Sequence, residues 1–182
     1  MKWLKYTTSI VAIASLFALS SEKITSAEEN KTSEVPNQEI NCLAKNVYFE
    51  AKNQGTGGWL AVAFVTLNRV IDSRFPNTIC EVVHQGPTKP SWQDPKRQIP
   101  IRYKCQFSWY CDGKPDIIGS QEKYSSILVF ANLMLGQATT TEMIDITDGA
   151  THYHADYVKP AWAKTKTKTI EIGDHIFYRW EK

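Results

Sequence analysis

Apolar residues recur at helical spacing over residues 40–53, where Leu43, Val47 and Ala51 fall at i, i+4 and i+8. That spacing predicts an amphipathic helix. Glu50 stands seven residues after Leu43 and three after Val47, so it lies on the apolar face. Glycines at 55, 57 and 58 break this helix. A second helix is expected over 57–72, capped by Thr56. Its centre, Leu60 to Val65, is apolar on all sides. Periodicity there fits a buried strand as well, and length favours a helix. Asn68 and Arg69 are polar groups at its far end, facing either a ligand or solvent.

A short helix is expected over 78–85. Prolines at 87, 90, 95 and 100 then leave no room for a regular element over 86–104. That stretch carries Lys89, Lys96, Arg97, Arg102 and Lys104 against Asp94 alone. It reads as a solvated surface loop or as a basic lip over an anionic polymer. Residues 105–111 are dense in aromatics between two cysteines. Tyr124, Ile127, Leu128, Ala131 and Met134 make the stripe of a helix over 120–136, with Gly136 as terminator. Thr151 to Ala155 suits a strand. Lys166 to Ile172 alternates, Gly173-Asp174 turns, and His175 to Trp180 returns as a hairpin arm.

The first residues read as an export leader. Lys2 and Lys5 precede an apolar run from Ile10 to Leu19, and Thr25-Ser26-Ala27 offers a small-residue cleavage site. The run is short for a membrane span, although an uncleaved leader would still anchor the chain. Cleavage after residue 27 places the product outside the cytoplasm, in a periplasmic or extracellular setting. Residues 28–40 are polar and suit a linker, which leaves 41–182 as one domain. Removing the leader takes away three lysines and Glu22, so 18 cations face 18 anions. A balanced chain gives no reason to expect nucleic acid as a partner.

In an exported chain the four cysteines read as disulfides. Three pairings are open, and we favour Cys42–Cys80 with Cys105–Cys111. Their spacing lacks the C-x-x-C pairs of a structural zinc site, and disulfide use leaves little room for a reactive thiol. Glu50 draws the chemistry. A carboxyl on an apolar face is either paired, with Arg69 as the obvious cation, or held protonated by desolvation. The second condition suits a general acid in glycosidic cleavage. Phe107, Trp109, Tyr110 and Tyr153 offer flat faces for sugar rings, and Gln106 and Asn68 offer amides for hydroxyl or acetamido groups.

Several segments in order resemble the cell wall hydrolase family of spore cortex-lytic enzymes. They include Ala44-Lys45-Asn46-Val47-Tyr48-Phe49-Glu50-Ala51, Gly58-Trp59-Leu60-Ala61-Val62-Ala63 and Leu67-Asn68-Arg69-Val70. Arg74-Phe75-Pro76-Asn77-Thr78-Ile79, Val82-Val83-His84-Gln85 and Gln106-Phe107-Ser108 follow. Ala150-Thr151-His152-Tyr153-His154-Ala155 and Gly173-Asp174-His175-Ile176-Phe177-Tyr178 close the set. The extra cysteines look like those of Gram-negative variants. The resemblance implies an α+β, lysozyme-like single domain with a helical core and a small hairpin region. It implies Glu50 as catalytic acid and peptidoglycan glycan strands as partner. Gln106, Phe107, Ser108, Tyr153 and His154 fall in its blocks and, with Asn68, are the expected substrate contacts. The chain departs from the pattern at Gln54 and Gly55, where the family often has an acid and a proline, and at Gly57, another frequent acid.

No second acid stands in a recognisable motif, and turn chemistry explains Asp112 and Asp116 equally well. This favours a lytic transglycosylase, which needs one acid/base, over a two-carboxylate hydrolase. No cofactor is called for. Two rivals remain. A zinc peptidase would use His152 and His154, with His84 or His175, but H-E-x-x-H is absent. A non-catalytic glycan-binding module would need only the aromatics.

Overall fold

The computed structural model describes residues 37–138 and 143–181. The leader expected over 1–27 and most of the linker expected over 28–40 lie outside the described residues. Helix α1 begins earlier than expected, at Asn37, and runs to Ala51, so residues 37–40 are helix rather than linker. Ile40 is buried beneath it, so its first turn belongs to the core. Leu43, Val47 and Ala51 are buried at 1 % exposure or less, as their spacing requires. Helix α1 packs against helices α2 (Gly55–Ile71), α3 (Ile79–Val83) and α4 (Gln121–Ala138). The apolar centre of the second segment is helical. It is buried all round because helices cover one side and a sheet the other.

Two helix ends differ from expectation. Thr56 does not cap α2. The helix begins at Gly55, and Gln54 occupies the cap position without a side-chain cap bond. Gly136 does not end α4, which continues to Ala138. Met134 and Leu135 are buried there, and their packing outweighs the roughly 1 kcal/mol helix penalty of one glycine. Thr78 caps α3, its hydroxyl accepting from the Glu81 amide at 3.2 Å.

Regular structure also survives in the proline-rich stretch. Strands β1 (Thr88–Pro90) and β2 (Gln98–Pro100) form an antiparallel pair, with Thr88 opposite Pro100 and Pro90 opposite Gln98. The prolines sit at strand ends of a two-stranded ribbon, where a missing N–H is tolerated. A 3₁₀ turn, Ser108–Cys111, lies inside the Cys105–Cys111 loop. The second disulfide, Cys42–Cys80, ties α1 to α3 across 38 residues of chain, a closure that restricts the unfolded state. Both favoured pairings are present, and among the described residues no cysteine is free.

The C-terminal sheet has the order β3 (His152–Ala155), β5 (His175–Arg179), β4 (Thr167–Ile172), all antiparallel. Tyr153 pairs with Phe177, so both point to the same side. That side meets α2, where Phe177 packs with Ala61 and Val65. The Gly173-Asp174 turn needs Gly173 at φ +56°. A Cβ there would also strike the Gln54 side chain at 2.1 Å.

Gln54 closes over that turn. Its amide nitrogen donates to Asp174 Oδ2 at 2.8 Å, and its carbonyl accepts from the Asp174 amide at 3.1 Å. This clasp pins the sheet to the junction of α1 and α2. Only an amide can serve both groups. A glutamate at this position would set one carboxylate against another. We expect Gln54→Glu to lose about 1 kcal/mol and several degrees of Tm at pH 7. The deficit should shrink below about pH 4, where the carboxyl protonates. Thermal melts of both proteins at the two pH values check this.

Candidate active site

Glu50 sits in the last turn of α1, on the side turned toward α2 and the sheet. Two layers hold it there. Below it, a buried polar chain joins three elements. Asn46 Nδ2 donates to Thr66 Oγ1 of α2 at 3.1 Å, and Trp109 Nε1 donates to Asn46 Oδ1 at 3.0 Å. Asn46 and Thr66 are fully buried, and Thr66 passes its own proton to the Val62 carbonyl at 2.9 Å. Beside it, Trp109 stacks on Phe49 with ring centroids 4.7 Å apart. Together these contacts fix the azimuth of α1 and hence the direction of Glu50.

Above it stands the sheet. The Tyr153 hydroxyl donates to Glu50 Oε2 at 2.9 Å. The tyrosine ring is wedged between His175 and Phe177, with centroids at 4.9 and 5.4 Å. Burial and the neighbouring Glu50 charge push the Tyr153 hydroxyl well above its ordinary range, so it stays a donor. Glu50 itself is only partly exposed. Burial raises its pKa above the ordinary 4.5, and the Tyr153 hydrogen bond and the Arg69 charge pull it partly back.

Arg69 is the third member. It is 4 % exposed, and its Nε donates to the Thr151 carbonyl at 2.7 Å. The guanidinium lies over Phe107 at 4.9 Å and Phe75 at 5.4 Å. Burial lowers its pKa to about 10, which leaves it charged at neutral pH. Its Nη1 is buried without a hydrogen-bond partner among the described residues. Arg69 forms no ion pair with Glu50 within 4 Å, so it acts as a nearby charge rather than as a clamp.

The other expected contacts divide. Gln106 and Ser108 are exposed on the loop beside this centre, free to meet a ligand. Phe107 is buried at 1 % exposure and is the platform under Arg69, so it has no face left for a sugar. Trp109 is likewise committed to Asn46 and Phe49. Asn68 is tied up, its Nδ2 donating to Asp145 Oδ2 at 2.8 Å and the Ala150 carbonyl at 3.0 Å. His154 points to the opposite side of the sheet from Tyr153. There its Nε2 meets the Tyr178 hydroxyl at 3.0 Å, and its ring stacks on that of Tyr178. Strand alternation separates it from Glu50. His152 shares that side, and burial lowers its pKa to about 3. No group of three metal-ligating side chains occurs among the described residues.

Two contributors escaped the sequence. Asn46 lay inside a noted block but carried no role, because buried amides look like any polar residue one turn from the wet face. Gln54 stood out only as a departure from the family pattern. Its partner is 120 residues away.

Four helices and two small antiparallel sheets make this an α+β domain. The chain belongs to the cell wall hydrolase family, whose model matches residues 53–178. Glu50 lies three residues before that match begins. The chain is 27 % identical over 154 residues to a spore cortex-lytic enzyme of Bacillus cereus, covering 82 % of this chain and 49 % of that protein. It therefore spans about half the length of the curated relatives it matches. The catalytic domain of the Bacillus cereus SleB protein superposes with a TM-score of 0.53 at 26 % identity, covering 81 % of this chain and 94 % of that one. The catalytic domain of the germination-specific lytic transglycosylase SleB from Bacillus anthracis gives 0.54 at 26 %, covering 81 % and 98 %.

A carboxyl whose pKa is raised in the folded state favours the fold while it is protonated. That contribution is complete below the unfolded value of 4.5 and is lost as pH rises through the higher folded value. Glu50→Gln keeps an acceptor for Tyr153 and cannot ionise. It should therefore melt higher than the parent at pH 7, with the gap closing below about pH 4.5. A lower melt at pH 7 would instead mean that the Glu50 charge is stabilising. Calorimetry across this range decides the sign.

Proposed function

We propose that this chain is an exported peptidoglycan glycosidase that cuts between N-acetylmuramic acid and N-acetylglucosamine, with Glu50 as its acid and then its base. The observation that carries it is the partly exposed Glu50 carboxyl, whose pKa burial raises and one of whose oxygens accepts a hydrogen bond from Tyr153. Family membership supports the substrate. The two disulfides support export to an oxidising compartment. Among the described residues no helix is long and apolar enough to cross a membrane.

In the first step Glu50 gives its proton to the bridging oxygen as the bond to the anomeric carbon breaks. Positive charge develops on the sugar ring, and negative charge is left on Glu50. Arg69 and the Tyr153 hydroxyl steady that carboxylate at this moment, since both favour the ionised form. In the second step the carboxylate removes the proton from the C6 hydroxyl of the same sugar. The hydroxyl oxygen closes on the anomeric carbon, a 1,6-anhydro end forms, and Glu50 regains its proton. One acid/base completes the cycle. The groups that tune Glu50 are a tyrosine and an arginine, not a second carboxylate, which favours this outcome over hydrolysis. In this reading Gln106 and Ser108, both exposed, contact acetamido or hydroxyl groups of the substrate.

Mass spectrometry of soluble products from purified peptidoglycan tests the reaction. We expect muramic ends lighter by one water from the parent and none from Glu50→Gln. Ordinary reducing ends would mean hydrolysis. Binding without any soluble product would mean a glycan-binding module.

The role of Tyr153 is tested by pH. The general acid is active when protonated, so the rate should fall as pH rises through the Glu50 pKa. The Tyr153 hydrogen bond lowers that pKa. Tyr153→Phe should therefore move the basic limb of the kcat/KM profile to higher pH, with a lower plateau. An unmoved limb would remove Tyr153 from the proton chemistry.

A further inference from the structure

The β1–β2 hairpin takes no part in holding Glu50, yet it concentrates cations and exposed rings. Lys89, Lys96, Arg97, Arg102 and Lys104 face the single acid Asp94. Residues 28–182 balance as a whole, 18 cations against 18 anions, so the remainder outside this segment is acidic, 13 against 17, and the positive excess is local. Asp94 is occupied with the turn, its Oδ1 accepting from the Lys96 amide at 3.0 Å. Among the described residues none of the five cations joins an ion pair.

The aromatic rings are presented outward by ordered backbone. Trp92 is 87 % exposed at the tip. Under it, buried Ser91 donates its amide to the Arg97 carbonyl at 2.8 Å, and the Arg97 amide donates to the Asp94 carbonyl at 2.9 Å. Tyr103, 66 % exposed, holds φ at +60°, a conformation that side-chain-bearing residues rarely adopt. The Cys105–Cys111 loop maintains it, the Tyr103 amide donating to the Cys111 carbonyl at 3.0 Å. Arg102 lies over the Tyr103 ring at 4.9 Å. Exposed rings on hydrogen-bonded backbone, among cations that join no ion pair, suit a polymer that offers flat apolar faces and carboxylates together.

We propose that this hairpin is a second glycan-binding surface, on which a sugar ring of peptidoglycan stacks on Trp92 while stem-peptide carboxylates pair with Lys89, Lys96 and Arg97. The proposal rests on the glycosidase reading of Glu50. A membrane surface fits less well. The neighbours of Trp92 are Ser91, Gln93 and Asp94, which insertion would desolvate, and Asp94 opposes anionic headgroups. The hairpin leads through residues 101–105 into the Gln106–Ser108 segment, whose Phe107 ring packs under Arg69 of the Glu50 centre at 4.9 Å. A strand held at the tip is thereby kept at high local concentration near the acid.

Pelleting with purified insoluble peptidoglycan tests this, in full-length protein silenced by Glu50→Gln. Trp92→Ala and the Lys96→Gln/Arg97→Gln pair should each weaken binding roughly five- to tenfold, an effect of the size expected for one lost aromatic contact or two charges. Raised salt should weaken the parent more than the charge variant. With Glu50 intact, both hairpin variants should cleave short soluble glycan fragments at the parental rate. Unchanged pelleting of both variants overturns the proposal. So does binding to phosphatidylglycerol vesicles that is lost with Trp92 while peptidoglycan binding is unaffected. A silenced parent that fails to pellet also overturns it. Product release by the Glu50-intact parent then tells that failure apart from failure of the glycosidase reading.

Discussion

A carboxyl group on the buried side of a helix imposes a demand on everything around it. Burial raises its pKa, and the group cannot be left without a partner. Here the demand falls on Glu50 at the end of α1, and Tyr153 of the sheet answers it with one hydrogen bond. That bond spans 103 residues of chain and crosses from the helical core to β3. For it to form, α1 must be held at one rotation and the sheet at one height. Most of the distinctive contacts serve one of those two needs.

The rotation is fixed by polar groups inside the core. Asn46 is satisfied on both sides of its amide by Thr66 and Trp109, so α1, α2 and the disulfide-closed loop lock at a single register. Apolar packing alone tolerates small rotations, whereas a buried amide with two fixed partners does not. The height is fixed at the other end by Gln54, which clasps the Gly173-Asp174 turn. The side chain at this position is an amide, and its two ends tie the sheet down.

Arg69 shows why charge and packing must be read together. Its guanidinium is enclosed by Phe107 and Phe75 and anchored on a backbone carbonyl. A cation so placed cannot approach the acid closely. It moderates the raised Glu50 pKa without cancelling it. Phe107, which composition alone would assign to sugar stacking, is consumed in making that enclosure.

The sequence by itself determined the helices, the C-terminal hairpin, the use of the four cysteines as disulfides and the position of Glu50 on the apolar face of its helix. Each of these depends on short-range periodicity, turn chemistry or the count of cysteines. It also pointed to Gln106 and Ser108, which are exposed on either side of buried Phe107. It misplaced the ends of α2 and α4, where one tertiary contact outweighs a local preference. It placed no strands among the prolines of 86–104, because edge positions that tolerate proline exist only once two segments pair. Tertiary structure alone decided which polar groups were free. Asn68 and His154 have the chemistry of ligand contacts, but Asn68 is spent on the 145–150 loop, and strand alternation turns His154 away from Glu50. Side-chain chemistry is local and can be read along the chain. Whether a donor is already satisfied depends on residues about 80 or 100 positions away, and only the folded chain brings them together.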